Sequence, residues 1–366
     1  MQRRGPKGEG AEGVTIVDIA RQAGVSIKTV SRVVNREEGV GPEARARIED
    51  LIARLGYRPN VAARLLSSRR SYLIGVIFLR MGAYHYIGEI QAGAMRACRR
   101  AGYQLVVEQV GDGAGEVRDT LIQTLRAGRF DGLILTPPVC DDPELLDVVE
   151  SHGLAYVRIA PGGDFGRSPY VFMDDTLAAQ EITDRLLDLG HRRIAFLDGP
   201  QEHTAAARRR KGYLAALASR GVTPDADWIQ SGDFESLSGF EAAERLLDLA
   251  TPPTAIFAAN DGMAVGVLAA AAKRGLSVPG ALSVVGFDDS PVAASAWPRL
   301  TTVHQPVAEM AEAAAEMLID GFGDKRFRGR TLMRQLDFRV VDRASTAPPR
   351  NPIPGCGPSL LPSGKP

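Results

Sequence analysis

From Ser71 to Arg343, short apolar runs alternate with amphipathic helical patterns, and this alternation limits the fold more than any other feature of the chain. The runs are YLIGVIF, YQLVVEQ, DGLILT, LAYVRI, RRIAFLDG, TAIFAAN, LSVVGFDD and LTTVHQ. Helical stretches such as Leu177–Leu189 and Gly262–Arg274 lie between most of them. A strand that is apolar on both sides needs cover on both faces, and crossover helices supply it. The expectation is parallel sheets with helices on both faces, and the run is long enough for two such units. No short-period repeat interrupts it.

Residues from about Val14 to Tyr57 follow a different rule and are helical throughout. Ile16, Ile19, Ala20 and Ala23 fall on one face before Gly24 stops the helix. Ser26 can cap a second helix whose inner side is Val30, Val33 and Val34. Pro42 suits the first turn of a third, with Ile48, Leu51, Ile52 and Leu55 inward and Gly56 as its stop.

Helix, tight turn and helix make a helix-turn-helix pattern, in which the second helix offers its N-terminal part to base edges in the major groove. Ile27, Lys28, Ser31, Arg32 and Asn35 share its outer face. Lys28 and Arg32 can pair with phosphates or guanine acceptors, Thr29 and Ser31 can hold the DNA backbone, and Ile27 can meet a thymine methyl. Thr15 and Ser26, at the two helix starts, complete this set of candidate DNA contacts.

The segment YRPNVAARLLSSRR, Tyr57 to Arg70, follows. Pro59 ends the preceding helix, and Asn60 can cap a new one too short to be stable alone in water. A partner that supplies the burial would let it form. A leucine, Leu65 or Leu66, wedged into a minor-groove step and flanked by arginines is one such contact, with Asn60 and Ala63 as further candidates on the same segment; an ordinary linker is the plainer reading.

Charge agrees with the first reading. The formal net charge is zero, yet residues 1–70 hold 14 Lys and Arg against 8 Asp and Glu, leaving 30 against 36 for the remainder. A basic segment on an otherwise acidic chain points to nucleic acid or an anionic surface. Cys98, Cys140 and Cys356 form no CxxC pair, which argues against a disulfide framework or structural zinc and suits a reducing compartment. Residues 1–13 lack the apolar core of a signal peptide, and no apolar run is long enough to span a bilayer, so the expected location is the cytoplasm. Residues 1–13 and those from about Ala347 read as disordered tails.

TIVDIARQAGVSIKTVSRVVN followed by YRPNVAARLL resembles the N-terminal segment of the lactose-repressor (LacI/GalR-type) family of bacterial transcription regulators. The likeness continues through IGVIF, GYQLVV, FDGLIL, LGHRRIAFLDGP, KGYLAAL, TAIFAANDGMAVG, VPGALSVVGFDDSP and LTTVHQP to about Arg343. It implies a homodimer that binds operator DNA, with a headpiece (14–58), a hinge helix (59–70) and a two-lobed core (71–346) like the periplasmic sugar-binding proteins. The first lobe would be about 71–172 with 303–330, and the second about 173–302 with 331–346. Ile27, Lys28 and Arg32 would read bases and Leu66 would be the minor-groove wedge. Many members carry a small or polar residue where this chain has Ile27, which leaves the operator sequence open.

Open α/β sheets bind ligands at the carboxyl ends of their strands. Asn260 with Asp261, Asp288 with Asp289, and Asp174 with Asp175 fall there, and such groups suit hydroxyl-rich sugars. The resemblance carries over Arg209, Phe234, Asn260, Asp288 and Gln305 as effector contacts, Arg209 and Asp288 foremost. Asp288 can instead cap the turn near Pro291, and Asp261 the helix from Gly262; the expectation is effector contact for the first and capping for the second. The stretch LRMGAYHY, Leu79 to Tyr86, departs from the family, with Arg80 where an acid is usual. Tyr84 and His85 are kept as pocket candidates there, and Asp174 joins them.

Two other classes compete with this reading. A periplasmic-type sugar-binding protein would suit the core but not the basic headpiece. An α/β enzyme would need a nucleophile elbow, phosphate loop or metal motif, and GxSxG, GxxxxGK[ST] and HExxH are all missing. No cofactor and no metal are expected. The end of the chain has no leucine heptads, which argues against a coiled-coil route to tetramers.

Overall fold

The computed structural model describes residues 14–34, 39–57, 70–79, 84–111, 114–322, 327 and 332–350. It divides into two compact units, with the boundary between Ser71 and Tyr72. Asn35, Asn60, Ala63 and Leu66 lie outside the described residues, as do residues 1–13, 58–69 and 351–366.

The first unit holds α1 (Ile16–Ala23), α2 (Ile27–Val34) and α3 (Pro42–Leu55). Thr15 opens α1 with a capping box: Asp18 N donates to Thr15 Oγ1 while Thr15 N reaches back to Asp18 Oδ2 at 3.0 Å. Gly24 closes α1 at φ +67°, a left-handed conformation that permits the sharp turn into α2. Ile19, Val30 and Ile48, one from each helix, are fully buried and form the centre of a small core with Ala20, Ala23, Val33 and Leu51.

The second unit contains two parallel sheets. In the first lobe the strand order is β11-β5-β4-β3-β1-β2, with β1 Leu73–Leu79, β2 Gln104–Val110, β3 Gly132–Leu135, β4 Ala155–Ile159, β5 Tyr170–Phe172 and β11 Met333–Gln335. Helices α4 (Tyr84–Ala101), α5 (Ala114–Ala127), α6 (Pro143–Ser151) and α12 (Val307–Asp320) cover it. In the second lobe the order is β7-β6-β8-β9, with β6 Ile194–Asp198, β7 Ile229–Ser231, β8 Ala255–Ala258 and β9 Ser283–Val285. Helices α7 (Asp175–Asp188) and α8 (Thr204–Ser219) pack as one pair against it, α9 (Ser236–Leu247) and α10 (Asp261–Lys273) as another, and the short α11 is Pro291–Ser295. Every pairing within the two sheets is parallel, as the alternation of strands and helices requires.

Three sequence expectations need correction. LTTVHQ contributes β10 (Thr302–His304), which meets the β9 end of the second-lobe sheet only through the isolated parallel bridges Val285–Thr301 and Asp288–His304, and pairs antiparallel with β12 (Arg339–Val341). Residues 333–335 belong to the first lobe, because β11 pairs with β5, so the second lobe resumes after them. The chain therefore crosses between lobes three times, between β5 and α7, β10 and α12, and β11 and β12. Nor does the ordered chain end at Ala347: buried His191 hydrogen-bonds Ala347 O through Nε2 at 2.9 Å, and Ala347 N donates to Ser283 Oγ at 3.1 Å.

Candidate functional site

A cavity of about 780 Å³, counting its open mouth, lies between the lobes of the core. Its residues sit at the carboxyl ends of strands, as the doubly wound architecture predicts. Leu79 ends β1, Pro137 follows β3 and Ala160 follows β4 on one side; Asp233 and Phe234 follow β7, Asn260 follows β8 and Asp288 follows β9 on the other. Gln305 lies just beyond β10, Asp175 starts α7, His203 precedes α8 and Arg209 lies within α8.

Arg209 organises the polar side. It is buried, with Nε donating to Asp175 Oδ1 at 3.0 Å and Nη1 to Ala259 O at 2.7 Å. Its guanidinium lies over the Phe287 ring, 3.8 Å from the centroid, and Nη1 is 3.9 Å from Asp288 Oδ1. Among the described residues nothing accepts from Nη2. Asp288 accepts from Gln305 Nε2 at 2.5 Å. Burial pushes its carboxyl well above the usual carboxylate range, and the neighbouring Arg209 offsets only part of that.

Asn260 has two structural duties. Its Oδ1 caps α10 by accepting from Met263 N, and its Nδ2 donates to Phe234 O, each at 2.9 Å. That second bond holds Phe234 at φ +71°, and Asp288 sits at +124° and Ala160 at +48°. Three non-glycine residues of one cavity are thus held in sparsely populated backbone conformations, a pattern found at sites where position matters more than stability. The Phe234 ring lies on Gly199, where a Cβ would come within 2.4 Å of it, and His203 meets its edge at 5.4 Å between centroids.

The structure gathers Arg209, Asp288, Asn260, Phe234 and Gln305 around this cavity and redirects the other candidates. Asp174 caps α7 by accepting from Leu177 N at 2.9 Å, and its neighbour Asp175 faces the cavity instead. His85 is not part of the lining; Tyr86 and Ile87, one and two residues on, are. The Tyr84 side chain, like Arg80, lies outside the described residues. Asp261 does not cap α10, since Asn260 does. It is fully buried and accepts from Thr302 Oγ1 (2.6 Å), Ser290 N (2.8 Å) and Ser290 Oγ (3.0 Å), which ties the loop after β9 to β10.

The helical unit presents a second candidate surface. Ser26, Ile27 and Lys28 are exposed at the start of α2, and Thr29, Ser31 and Arg32 are half-buried. Thr29 N donates to Ser26 Oγ at 3.1 Å, so Ser26 caps α2 as expected. Ile27 is 50% exposed, an apolar side chain at the position that a major-groove helix turns toward base edges.

Comparison with known proteins assigns a family to each unit. Residues 15–60 match the model of bacterial regulatory proteins of the lacI family, and residues 183–346 match that of the periplasmic binding protein-like domain. The HTH-type transcriptional regulator GalS of Salmonella typhimurium is 36% identical over 310 residues, covering 84% of this chain and 90% of that protein. The chain belongs to the lacI family. Solved relatives of this regulator include the lac repressor dimer bound to operator and the anti-inducer ONPF (30% identity, TM-score 0.71, covering 92% of this chain and all of the other). The CelR–cellobiose complex is similar too (32% identity, TM-score 0.70, covering 91% and 99%). Like other lacI-family proteins, it is a DNA-binding transcriptional repressor controlled by a small-molecule effector.

In the sequence, Asp175 falls with Asp174 at a strand end and Tyr86 in an aromatic stretch, but neither is among the effector contacts expected there. Both carried a signal. Tyr86 stands four residues before Ile90 and eight before Ala94, the buried stripe of α4. In an Asp-Asp pair opening a helix, the first residue is the natural cap, which leaves the second for other work.

Proposed function

We propose that this lacI-family regulator works as a homodimer in the cytoplasm and changes its grip on operator DNA when a carbohydrate binds between the core lobes. The observation that carries the carbohydrate reading is the arrangement of Asp288, Asn260 and Gln305, each just beyond a strand, around Arg209 of α8. A guanidinium with a spare donor beside a carboxylate suits neighbouring sugar hydroxyls, each of which needs both a donor and an acceptor. Phe234 supplies an apolar platform for a pyranose face. The CelR relative, solved with cellobiose, supports the same class. Asp175 and Tyr86 join the effector contacts, replacing Asp174 and His85. No reaction is assigned to the site.

In the headpiece, Ile27, Lys28 and Arg32 read bases, and Thr15, Ser26, Thr29 and Ser31 position the helix on phosphates; Asn35 belongs to the base-reading face and Asn60, Ala63 and Leu66 to the hinge. Dimerisation is supported by the lac repressor dimer among its relatives.

A thermal-shift screen of mono- and oligosaccharides tests the effector class, because a ligand that binds only the folded state raises its melting temperature by mass action. Stabilisation by sugars is expected; stabilisation by non-sugar metabolites alone would refute the class. Retention on DNA should fall steeply with salt. Arg32→Ala should weaken specific operator binding far more than non-specific binding, and equal losses would remove its base-reading role.

A further inference from the structure

Beside the cavity, the two lobes hold each other through their own side chains. Thr204 Oγ1, at the start of α8 in the second lobe, donates to Asp141 Oδ2 of the first lobe at 2.8 Å. The other oxygen of Asp141 accepts from Gly162 N at 2.6 Å, in the segment between β4 and β5. One carboxylate thus ties that segment to the opposite lobe. Arg208 Nη2 donates across the lobes to Pro161 O at 2.6 Å, and its guanidinium lies 5.9 Å from the centroid of the Phe165 ring. Gly162 sits so close to α8 that a Cβ there would come within 2.2 Å of Thr204 Cγ2.

The first-lobe segment from Pro161 to Ser168 is a shaped strap. Arg158 is almost fully buried beneath it and has no carboxylate at ion-pair distance among the described residues. Its guanidinium donates instead to Ser168 Oγ (2.9 Å), Gly163 O (3.0 Å) and Asp164 O (2.5 Å), which fixes the strap from inside its own lobe. On α8 the contacts fall on neighbouring stripes. Thr204 and Arg208, one turn apart, meet the first lobe, while Ala205 and Arg209, also one turn apart, line the cavity.

We infer that the strap and α8 form a latch that makes the closed core the resting form, before any effector binds. Both bonds across the lobes involve a charged group, and each should favour closure roughly 10-fold. A core that rests closed loses none of its ligand affinity to an unpopulated form. The inference concerns the empty core and holds whichever ligand the cavity takes.

Double electron–electron resonance on the full-length protein, with neither effector nor DNA, tests it. Nitroxides go on Arg118→Cys in α5 and Glu241→Cys in α9, exposed positions on different lobes, in a Cys356→Ser background; Cys98 and Cys140 are buried. Excess unlabelled protein leaves one labelled subunit in a dimer. The native protein should give a single distance. Thr204→Val and Arg208→Met should each lower the closed-to-open ratio roughly 10-fold, and together roughly 100-fold, so that a second distance appears in the double variant. Gly162→Ala removes no bond but drives its Cβ against Thr204, and it should produce the same second distance; it also serves if the double variant does not fold. A native protein divided between two distances, or folded variants that keep the native distance alone, overturns the inference. Either result leaves the effector reading untouched, since no effector is present.

Discussion

Arg209 and Asp175 lie side by side at the cavity, Nε to Oδ1 at 3.0 Å, both almost completely removed from solvent. The guanidinium also bonds Ala259 O, so one side chain ties the start of α7 to the end of β8. A buried pair of this kind contributes little net stability, but breaking it strands the remaining charge.

Arg209→Met should therefore destabilise the core by about 3–5 kcal/mol, and adding Asp175→Asn should recover part of the loss, because the stranded carboxylate is gone. Urea unfolding of the two single variants and the double variant measures this. Simple additivity would mean that the pair is not coupled.

Asp288 sets one pH dependence. Burial raises its carboxyl pKa in the folded state, so the folded protein holds that proton to higher pH than the unfolded chain does. Its contribution is complete below the unfolded pKa and is lost as pH rises through the folded one. Asp288→Asn should accordingly raise the melting temperature more at pH 8 than at pH 5, while keeping an oxygen for Gln305. Equal shifts at both values would contradict the assignment.

His191 gives the opposite slope. Burial lowers its pKa, and the ring bonds Thr254, Ser283 and Ala347 O. The stability it supplies is present above the unfolded pKa and is lost as pH falls through the folded one. His191→Gln should cost about 1–3 kcal/mol at pH 8, with a narrowing gap to the native protein below pH 6. Chemical denaturation across that range provides the check.

Gly199→Ala tests the platform. The added Cβ would sit 2.4 Å from the Phe234 ring and push it from its place. Sugar affinity should drop roughly 10-fold, about 1.4 kcal/mol, with operator binding in the absence of ligand nearly unchanged. An unaltered affinity would show that Phe234 does not touch the effector.

How much of this was legible beforehand follows from what each signal encodes. The helical unit was readable almost to the residue, since Thr15, Gly24, Ser26, Pro42 and Gly56 are local punctuation whose effect needs no distant partner. The long strands were readable because they are apolar through and through. Strands β7 and β11 were not, because IQS and MRQ are short and largely exposed, so no apolar run marks them and they exist only through the neighbour each pairs with. LTTVHQ looks like any other buried strand, and its partner β12 lies more than thirty residues away. Among the site residues, Arg209 and Asp288 were found through family likeness. Asp174 and His85 were each misplaced by one position, an error that the phase of a helix turns into a different face.

Trp228 and Trp297 are the two tryptophans of the chain; the first is buried in the second lobe and the second is 92% exposed. If the proposed homodimer covers Trp297, the protein carries its own optical gauge of self-association. Water-facing indole emits at longer wavelength than shielded indole, so covering Trp297 with a second copy should shift its emission to the blue and hide it from a soluble quencher. Trp228, already shielded, supplies the constant background. Diluting the unlabelled protein until the red component and its quenching return would read the pairing constant directly, with neither operator nor effector in the cuvette.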